Sequence, residues 1–476
     1  VTYQKGFLSM PFSYHPPTGR DCPICEQLLV TDDNQPIIHV QQGKSSSASD
    51  FPFHNWFYFV LGYTPMFPIY ILQRENSVST DLILDPFVGT GTTQICCKMQ
   101  GIPSIGVDGN DFMAYSARIK LHWNINCTTI KAYYKEILVK IRDKYSHYRW
   151  QEIDNHKITH NLALFNYGET HEEDWLIYSQ ENRPKMLLRK YVSDKPFVRL
   201  HIIDRVIRDT VEPGPIKDLF DLALTSILLP TSNVRYGPGF GIIKAKDDVD
   251  VFKLFQAKID RMLRDLESID HKQRIVPTRV LLGDSRQLST YFDDNSVSLI
   301  ITSPPYPGDH EYTKHTRLEL IFRGFATNLC EFRVIKKRLL RASTTNIYCE
   351  DNDGAKIQDL RSIQTITNLI QRRLDEDSAT SGFEGLYTKL VREYFGGMYK
   401  VLAECWKVLR PGGKIAFLVS DSHAFKMVHI QTAVILREIG EKVGFVDPHI
   451  ILWQMKTSSS HKYCLRENIL IMTKPE

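Results

Sequence analysis

The chemistry-bearing stretch of this chain is Ser303-Pro304-Pro305-Tyr306, which closes the apolar run Val297-Ser298-Leu299-Ile300-Ile301 through Thr302. Two consecutive prolines remove two backbone donors and fix φ at both positions. Each also pushes the residue before it into extended geometry. The strand therefore ends in a stiff corner whose carbonyls and hydroxyls are turned away from any ladder, with an aromatic ring directly behind. Rigid acceptors beside a stacking face suit a flat heterocycle that carries an exocyclic amino group, which points to chemistry on a nucleobase.

A second cluster lies about two hundred positions earlier. Asp85-Pro86-Phe87-Val88-Gly89-Thr90-Gly91-Thr92-Thr93 follows the short apolar run Leu82-Ile83-Leu84. Gly89 and Gly91 let the backbone turn tightly and approach a ligand. The helix expected from Gln94 to Gln100 offers free N–H groups at its start, and Thr92 and Thr93 add hydroxyls. Asp108 ends the next apolar run, Ile105-Gly106-Val107, where a carboxylate can accept from both hydroxyls of a ribose. Asp284 ends Val280-Leu281-Leu282-Gly283 and can accept from an adenine amino group. Singly, each of these is equally a tight turn or a helix cap. Together they sit at the carboxyl ends of consecutive strands, where doubly wound sheets bind ligands.

These positions need an α/β framework. Strand, turn, helix, strand over residues 82–108 reads as a βαβ unit. The pattern lapses from about 113 to 275, where apolar spacing over 216–229 and through Phe252, Phe255, Ile259, Met262, Leu263 and Leu266 predicts helices. It resumes with strands at 280–282 and 297–301. A helix over 386–409 is expected to stop at Pro411-Gly412-Gly413, followed by a strand at 415–419, a helix at 430–443 and a hairpin of 450–453 with 469–472. The expected divisions are an arm (1–50), a core in three pieces (51–112, 276–309 and 381–476), a mostly helical insertion (113–275) and a charged, weakly periodic one (310–380).

At 476 residues the chain has room for a large core with insertions, and 42% hydrophobic with 24% charged residues is ordinary globular composition. A formal net charge of +4 restricts any nucleic-acid contact to local basic patches. No apolar run reaches membrane-spanning length, and Val1–Met10 shows no secretory pattern, so no membrane association is expected. Nine scattered cysteines favour a reducing interior.

With these motifs in view, the chain resembles an S-adenosylmethionine-dependent DNA methyltransferase of the amino-methylating kind. The Asp-Pro-Phe-Val-Gly-Thr-Gly-Thr loop is similar to that family's cofactor loop, and Thr-Ser-Pro-Pro-Tyr to its catalytic motif. Phe53-His54-Asn55-Trp56-Phe57 and Gly62-Tyr63-Thr64-Pro65 resemble the segment that closes over the cofactor's methionine. Leu409-Arg410-Pro411-Gly412-Gly413-Lys414 and Glu467-Asn468-Ile469-Leu470 also look like this family, and the likeness covers roughly half the chain. It implies a Rossmann-like methyltransferase fold, a mixed and mostly parallel sheet flanked by helices. It also implies S-adenosyl-L-methionine as cofactor, held by Phe53, Asn55, Thr64, Asp85, Phe87, Gly89, Gly91, Thr92, Thr93, Asp108 and Asp284. The substrate implied is double-stranded DNA with the target base flipped out. Ser303 and the Pro304 carbonyl would accept the amino hydrogens, with Pro305 stiffening the corner and Tyr306 stacking on the base. A restriction endonuclease or other defence-system partner fits the same family. The Ser form of the tetrapeptide is typical of cytosine-N4 enzymes. Many of those have the two motifs in the reverse order, so adenine N6 stays open. An RNA amino-methyltransferase and a non-catalytic DNA-binding protein with the same core are the remaining alternatives.

For grip on DNA, Arg333, Lys336, Lys337, Arg338 and Arg341 form a dense basic cluster that either neutralises phosphates or is the solvated face of a helix. His310, Lys314, His315 and Arg317 follow the proline corner closely enough to touch pocket or backbone. Sequence readout is expected in one of the two insertions. Cys22 and Cys25 have the spacing of half a zinc knuckle, with His15 and His39 as candidate partners. Cys96 and Cys97 read as packing residues.

Overall fold

The computed structural model describes residues 51–147, 188, 190–236, 240–308, 310–377, 382–457 and 464–476. At its centre is a seven-stranded sheet built from β1 (Ile83–Asp85), β2 (Ser104–Asp108), β5 (Thr278–Leu282), β6 (Val297–Thr302), β7 (Leu409–Ser420), β8 (Val446–Thr457) and β9 (Cys464–Thr473), in the order β5-β2-β1-β6-β7-β9-β8. The first five of these in sheet order are parallel, while β9 runs antiparallel to both its neighbours, β7 and β8. The short strands β3 (Val234–Tyr236) and β4 (Phe240–Ile242) make a separate antiparallel pair. The large sheet is the mixed, mostly parallel, Rossmann-like one expected.

Alternation along the central strands explains the layering. Ile83, Leu299, Ile301, Ala416 and Leu418 turn to one face of the sheet, while Leu84, Ile300, Ile415 and Phe417 turn to the other. The first face is covered by α1 (Met66–Arg74) and α2 (Thr92–Met99). The second is covered by α11 (Tyr387–Val408) and α12 (Thr432–Val443). Every residue of β6 is buried, so this strand belongs in the middle of a two-sided sheet and cannot be an edge.

Two glycines fix the loop after β1. Gly91 caps α2 at φ 84°, in left-handed geometry. A Cβ on Gly106 would meet Val88 Cγ2 at 2.4 Å, so only glycine lets the loop lie flat against β2. Next comes α3 (Asp111–Leu121), capped by Asn110, whose Oδ1 accepts from the Phe112 and Met113 amides at 3.1 and 3.4 Å.

The helices expected between 113 and 275 are α4 (Cys127–His147), α5 (Asp194–Thr210), α6 (Pro215–Ser226) and α7 (Val251–Ser268). They share one core with α3 and the aromatic stretch 53–57, through Phe112, Trp123, Phe197, Phe220 and Phe255. The buried guanidinium of Arg323, which follows α8 (Arg317–Phe322), reaches Asp221 at 2.9 Å, Thr225 at 2.7 Å and Asp204 at 3.3 Å, tying that segment to α5 and α6.

Residues 310–377 depart from the weak periodicity expected of them. Beyond α9 (Leu329–Arg338) they contain α10 (Arg361–Glu376), whose Ile363, Ile366, Ile370 and Leu374 bury a stripe in the same core as α11. The many charges between those isoleucines mask the stripe in a composition reading. Among the described residues no helix is long and apolar enough to cross a membrane.

Candidate active site

Strand order reverses between β1 and β6, and their carboxyl ends, Asp85 and Thr302, meet there. Thr302 Oγ1 donates to Asp85 Oδ1 at 2.5 Å. This is the switch point at which open α/β sheets form a crevice. A cavity of about 520 Å³ opens above it. Its lining includes Phe87, Val88, Gly89, Thr90, Thr92 and Asp108 on one side and Ser303, Pro304, Pro305 and Tyr306 on the other. The glycine turn and the proline corner, more than two hundred positions apart, thus face one space. A volume of this size is ordinary for a small-molecule or cofactor site.

The glycine-turn wall is organised around two carboxylates. Asp108 Oδ2 accepts from the Gly89 amide at 2.9 Å, and Oδ1 from the Asn110 amide at 2.8 Å. Enclosure by protein pushes its pKa up to about 6, against the pull of those two amides. Asp85 is fully buried and stands behind the lining. It accepts from Thr302, from the Phe87 amide at 3.0 Å and from Tyr63 Oη at 2.7 Å. Burial raises its pKa and these donors lower it. Thr93 shares a hydrogen bond of 2.6 Å with Tyr63 and is likewise behind the wall, as is Gly91. Thr64 reaches the cavity, together with Tyr58 to Tyr63.

Three expected cofactor contacts fall elsewhere. Phe53 is a core residue stacked on Trp123 at 4.3 Å, its amide bonded to Asp265. Asn55 lies off the cavity and offers its carbonyl to Lys258 at 2.7 Å. The Asp284 carboxylate is held by the Arg286 guanidinium at 2.7–3.2 Å, and it is the neighbouring Ser285 that lines the space. Phe53 and Asn55 are engaged by partners from distant segments, whereas Asp284 is taken by a guanidinium two residues along the chain.

The proline-corner wall is held by side chains. Ser303 Oγ donates to the Leu418 carbonyl at 3.0 Å and lies 3.1 Å from Tyr306 Oη. Tyr306 Oη donates to Glu467 Oε1 at 3.1 Å, and the Tyr306 amide donates to Tyr312 Oη at 3.2 Å. Tyr394 Oη donates to the Pro305 carbonyl at 2.7 Å. Burial, reinforced by the Glu467 charge, holds the Tyr306 phenol far above its usual pKa, so it stays a donor. His310 and Glu311 also reach the cavity. Glu311 pairs with Lys336 at 3.1 Å.

The basic cluster is largely turned inward. Arg341 is 6% exposed and forms a two-pronged pair with Asp351 at 2.8 and 3.0 Å. Arg338 pairs with Asp111, donates to the Gly109 carbonyl at 3.0 Å and lines the cavity. Lys336 is committed to Glu311. Only Arg333 and Lys337 of the five are exposed, Lys337 beside an equally exposed Glu350 at 3.0 Å. Of the two readings of this cluster, phosphate grip or solvated helix face, neither describes Lys336, Arg338 and Arg341 in this structure, whose charges fasten neighbouring segments; Arg333 and Lys337 remain open to either. Cys22 and Cys25 lie outside the described residues; within these, no group of three His, Cys, Asp or Glu side chains could hold a metal ion. Cys96 and Cys97 are buried, as packing residues should be.

The reading of the chain missed Glu467, Tyr312 and Tyr394. Glu467 stands in a stretch that resembles the family, yet nothing local says that it touches the corner. Tyr394 sits mid-helix with no signal at all.

The sheet order, with a cavity at its switch point, is that of a Rossmann-like α/β fold. No family model matches the chain. Over most of its length it is homologous to Type II methyltransferases. It is 25% identical to the Type II methyltransferase M.BsoBI of Geobacillus stearothermophilus, over 93% of this chain and 88% of that one. It is 22% identical to M.AvaI of Nostoc sp. strain PCC 7120, over 92% and 89%. A 59-residue stretch is 42% identical to M.MjaII of Methanocaldococcus jannaschii, covering 12% and 11%. A solved structure from Thermus thermophilus, described as a candidate DNA modification methylase, aligns with 41% of this chain and 51% of its own at 17% identity and a TM-score of 0.20.

Proposed function

We propose that this protein is a DNA methyltransferase that moves a methyl group from S-adenosyl-L-methionine to the exocyclic amino group of a flipped base, with cytosine N4 as the target. One observation carries the proposal: the glycine turn with Asp108 and the Ser303–Tyr306 corner line a single cavity at the switch point. The Type II methyltransferase relatives support DNA as substrate; a cytoplasmic, nucleoid-associated location of the prokaryotic type and a restriction endonuclease or other defence-system partner belong to the same proposal.

The donor group fits the residues present. Asp108 offers a carboxylate to ribose hydroxyls, Gly89 and Thr92 border the turn, and Thr64 and Phe87 close the same side. S-adenosyl-L-methionine supplies an electrophilic sulfonium methyl. The protein must make a poor nucleophile competent, because the amino lone pair is delocalised into the ring. Ser303 Oγ and the Pro304 carbonyl would accept the two amino hydrogens and favour a pyramidal nitrogen; as the N–CH3 bond forms the S–CH3 bond would break, releasing S-adenosyl-L-homocysteine, and the nitrogen would give up one of its two protons. The Tyr306 ring backs the base. Such a transfer needs positioning and no covalent enzyme intermediate. A base in a duplex cannot reach the cavity unflipped.

Adenine N6 is the second reading, favoured by the order of the two motifs along the chain. Single-molecule sequencing of DNA from cells expressing the protein separates the two and reports the recognition sequence. Absence of any modified base in that DNA overturns the DNA reading.

A further inference from the structure

The proline corner carries a chain of hydrogen bonds along the cavity wall, from Ser303 through Tyr306 to Glu467 on β9, which itself borders the cavity. Glu467 is 2% exposed, and its carboxylate also accepts from Lys456 and Gln454, both on β8. A carboxylate only accepts, while each hydroxyl has one hydrogen and two lone pairs. The direction of the chain is therefore fixed at its far end. Tyr306 gives its hydrogen to Glu467, and Ser303 gives its own to the Leu418 carbonyl or to Tyr306. In either arrangement the Ser303 hydrogen is taken up by a protein acceptor. The phenol hydrogen, drawn to Glu467, does not occupy a Ser303 lone pair.

We infer that Glu467 is a positioning residue: through Tyr306 it keeps Ser303 Oγ an acceptor, so that the cavity takes a base bearing an amino group at that point and disfavours one bearing a carbonyl. The inference rests on the amino-methyl reading above and adds to it the residue that sets hydrogen-bond polarity. A glutamine side chain in place of Glu467 can donate its amide hydrogens to Tyr306 Oη, which then turns its own hydrogen onto Ser303 and fills the lone pair that the base needs. A phenylalanine in place of Tyr306 removes that competitor.

The test is a cycle of E467Q, Y306F and the double variant. It is read by transfer of labelled methyl groups from S-adenosyl-L-methionine to unmethylated DNA, with cofactor affinity measured by calorimetry. E467Q should lower kcat about tenfold or more at unchanged cofactor affinity. Y306F should cost less, and the double variant should return to the Y306F rate, a rescue that loss of a merely structural contact cannot give. Multiplying losses, or an E467Q variant as fast as the wild type, overturn the inference. A wild-type protein that transfers no methyl overturns instead the amino-methyl reading. In that case the same cycle is read on unfolding midpoints, where non-additive shifts uphold the Tyr306–Glu467 link and additive shifts sink it.

Discussion

The two walls of the cavity are built on different principles. The glycine-turn wall is nearly local: within residues 85–110 the amides of Phe87, Gly89 and Asn110 bond to Asp85 and Asp108, and the Val88 amide bonds to the Val107 carbonyl at 2.9 Å. The proline-corner wall is assembled from afar. Its partners are Leu418, Glu467 and Tyr394, separated from it in sequence by 115, 161 and 89 positions. One wall needs little more than a βαβ unit. The other exists only after β9 has inserted between β7 and β8 and α11 has docked. A wall of backbone amides holds a constant partner well, whereas side-chain hydroxyls with distant anchors can be tuned one residue at a time. That division suits the proposed pairing of a cofactor on one wall with a substrate base on the other.

The largest expected effect tests what holds the edge of the glycine-turn wall. Arg341 straps the segment whose Arg338, Leu339 and Leu340 line the cavity. Arg341→Ala leaves Asp351 buried without its partner and should destabilise the protein by about 3–5 kcal/mol in urea unfolding. Unchanged stability with weakened DNA binding would restore the phosphate reading of this residue. Ser303→Ala should come next, lowering methyl transfer on the order of a hundredfold by analogy with loss of a preorganised polar contact, while cofactor affinity holds. Equal loss of both would mean that the walls do not divide the work.

Asp108→Asn should show the opposite split. The Asp108 pKa of about 6 lies above its unfolded range near 3.9. The folded state therefore holds the proton more tightly, and charging this carboxylate costs stability as pH rises through that window. The Asn variant should thus gain relative stability above pH 6 and lose about tenfold in cofactor affinity. Wild-type affinity should fall below pH 6 as Asp108 protonates. A flat profile in calorimetry across that range would remove Asp108 from cofactor binding. The smallest effect belongs to the exposed charges. Arg333→Ala and Lys337→Ala should each reduce the salt slope of DNA binding by about one where they touch phosphate, and leave it unchanged where they are only solvated.

Much of this was legible in the chain, for a physical reason. Apolar runs such as Ile83-Leu84 and Leu299-Ile300-Ile301, short and bounded by turn residues, read as two-sided buried strands. Gly89 and Gly91 announce a turn whatever surrounds them, and two prolines stiffen a strand end without help. The stripe of α10 was hidden by its charges, and the fates of Phe53 and Asn55 were hidden because their partners, Trp123 and Lys258, are set by packing; Arg286, two residues from Asp284, was in plain view as its partner.

By itself the sequence determined which residue types stand at strand ends, because backbone restriction and hydrophobic period are properties of a few neighbouring residues. The tertiary structure alone decided which of the basic residues face solvent, that the two motifs share one space, and that Glu467 meets Tyr306 there. Those depend on strand order and on burial, where a charge removed from water must find a partner wherever the fold supplies one.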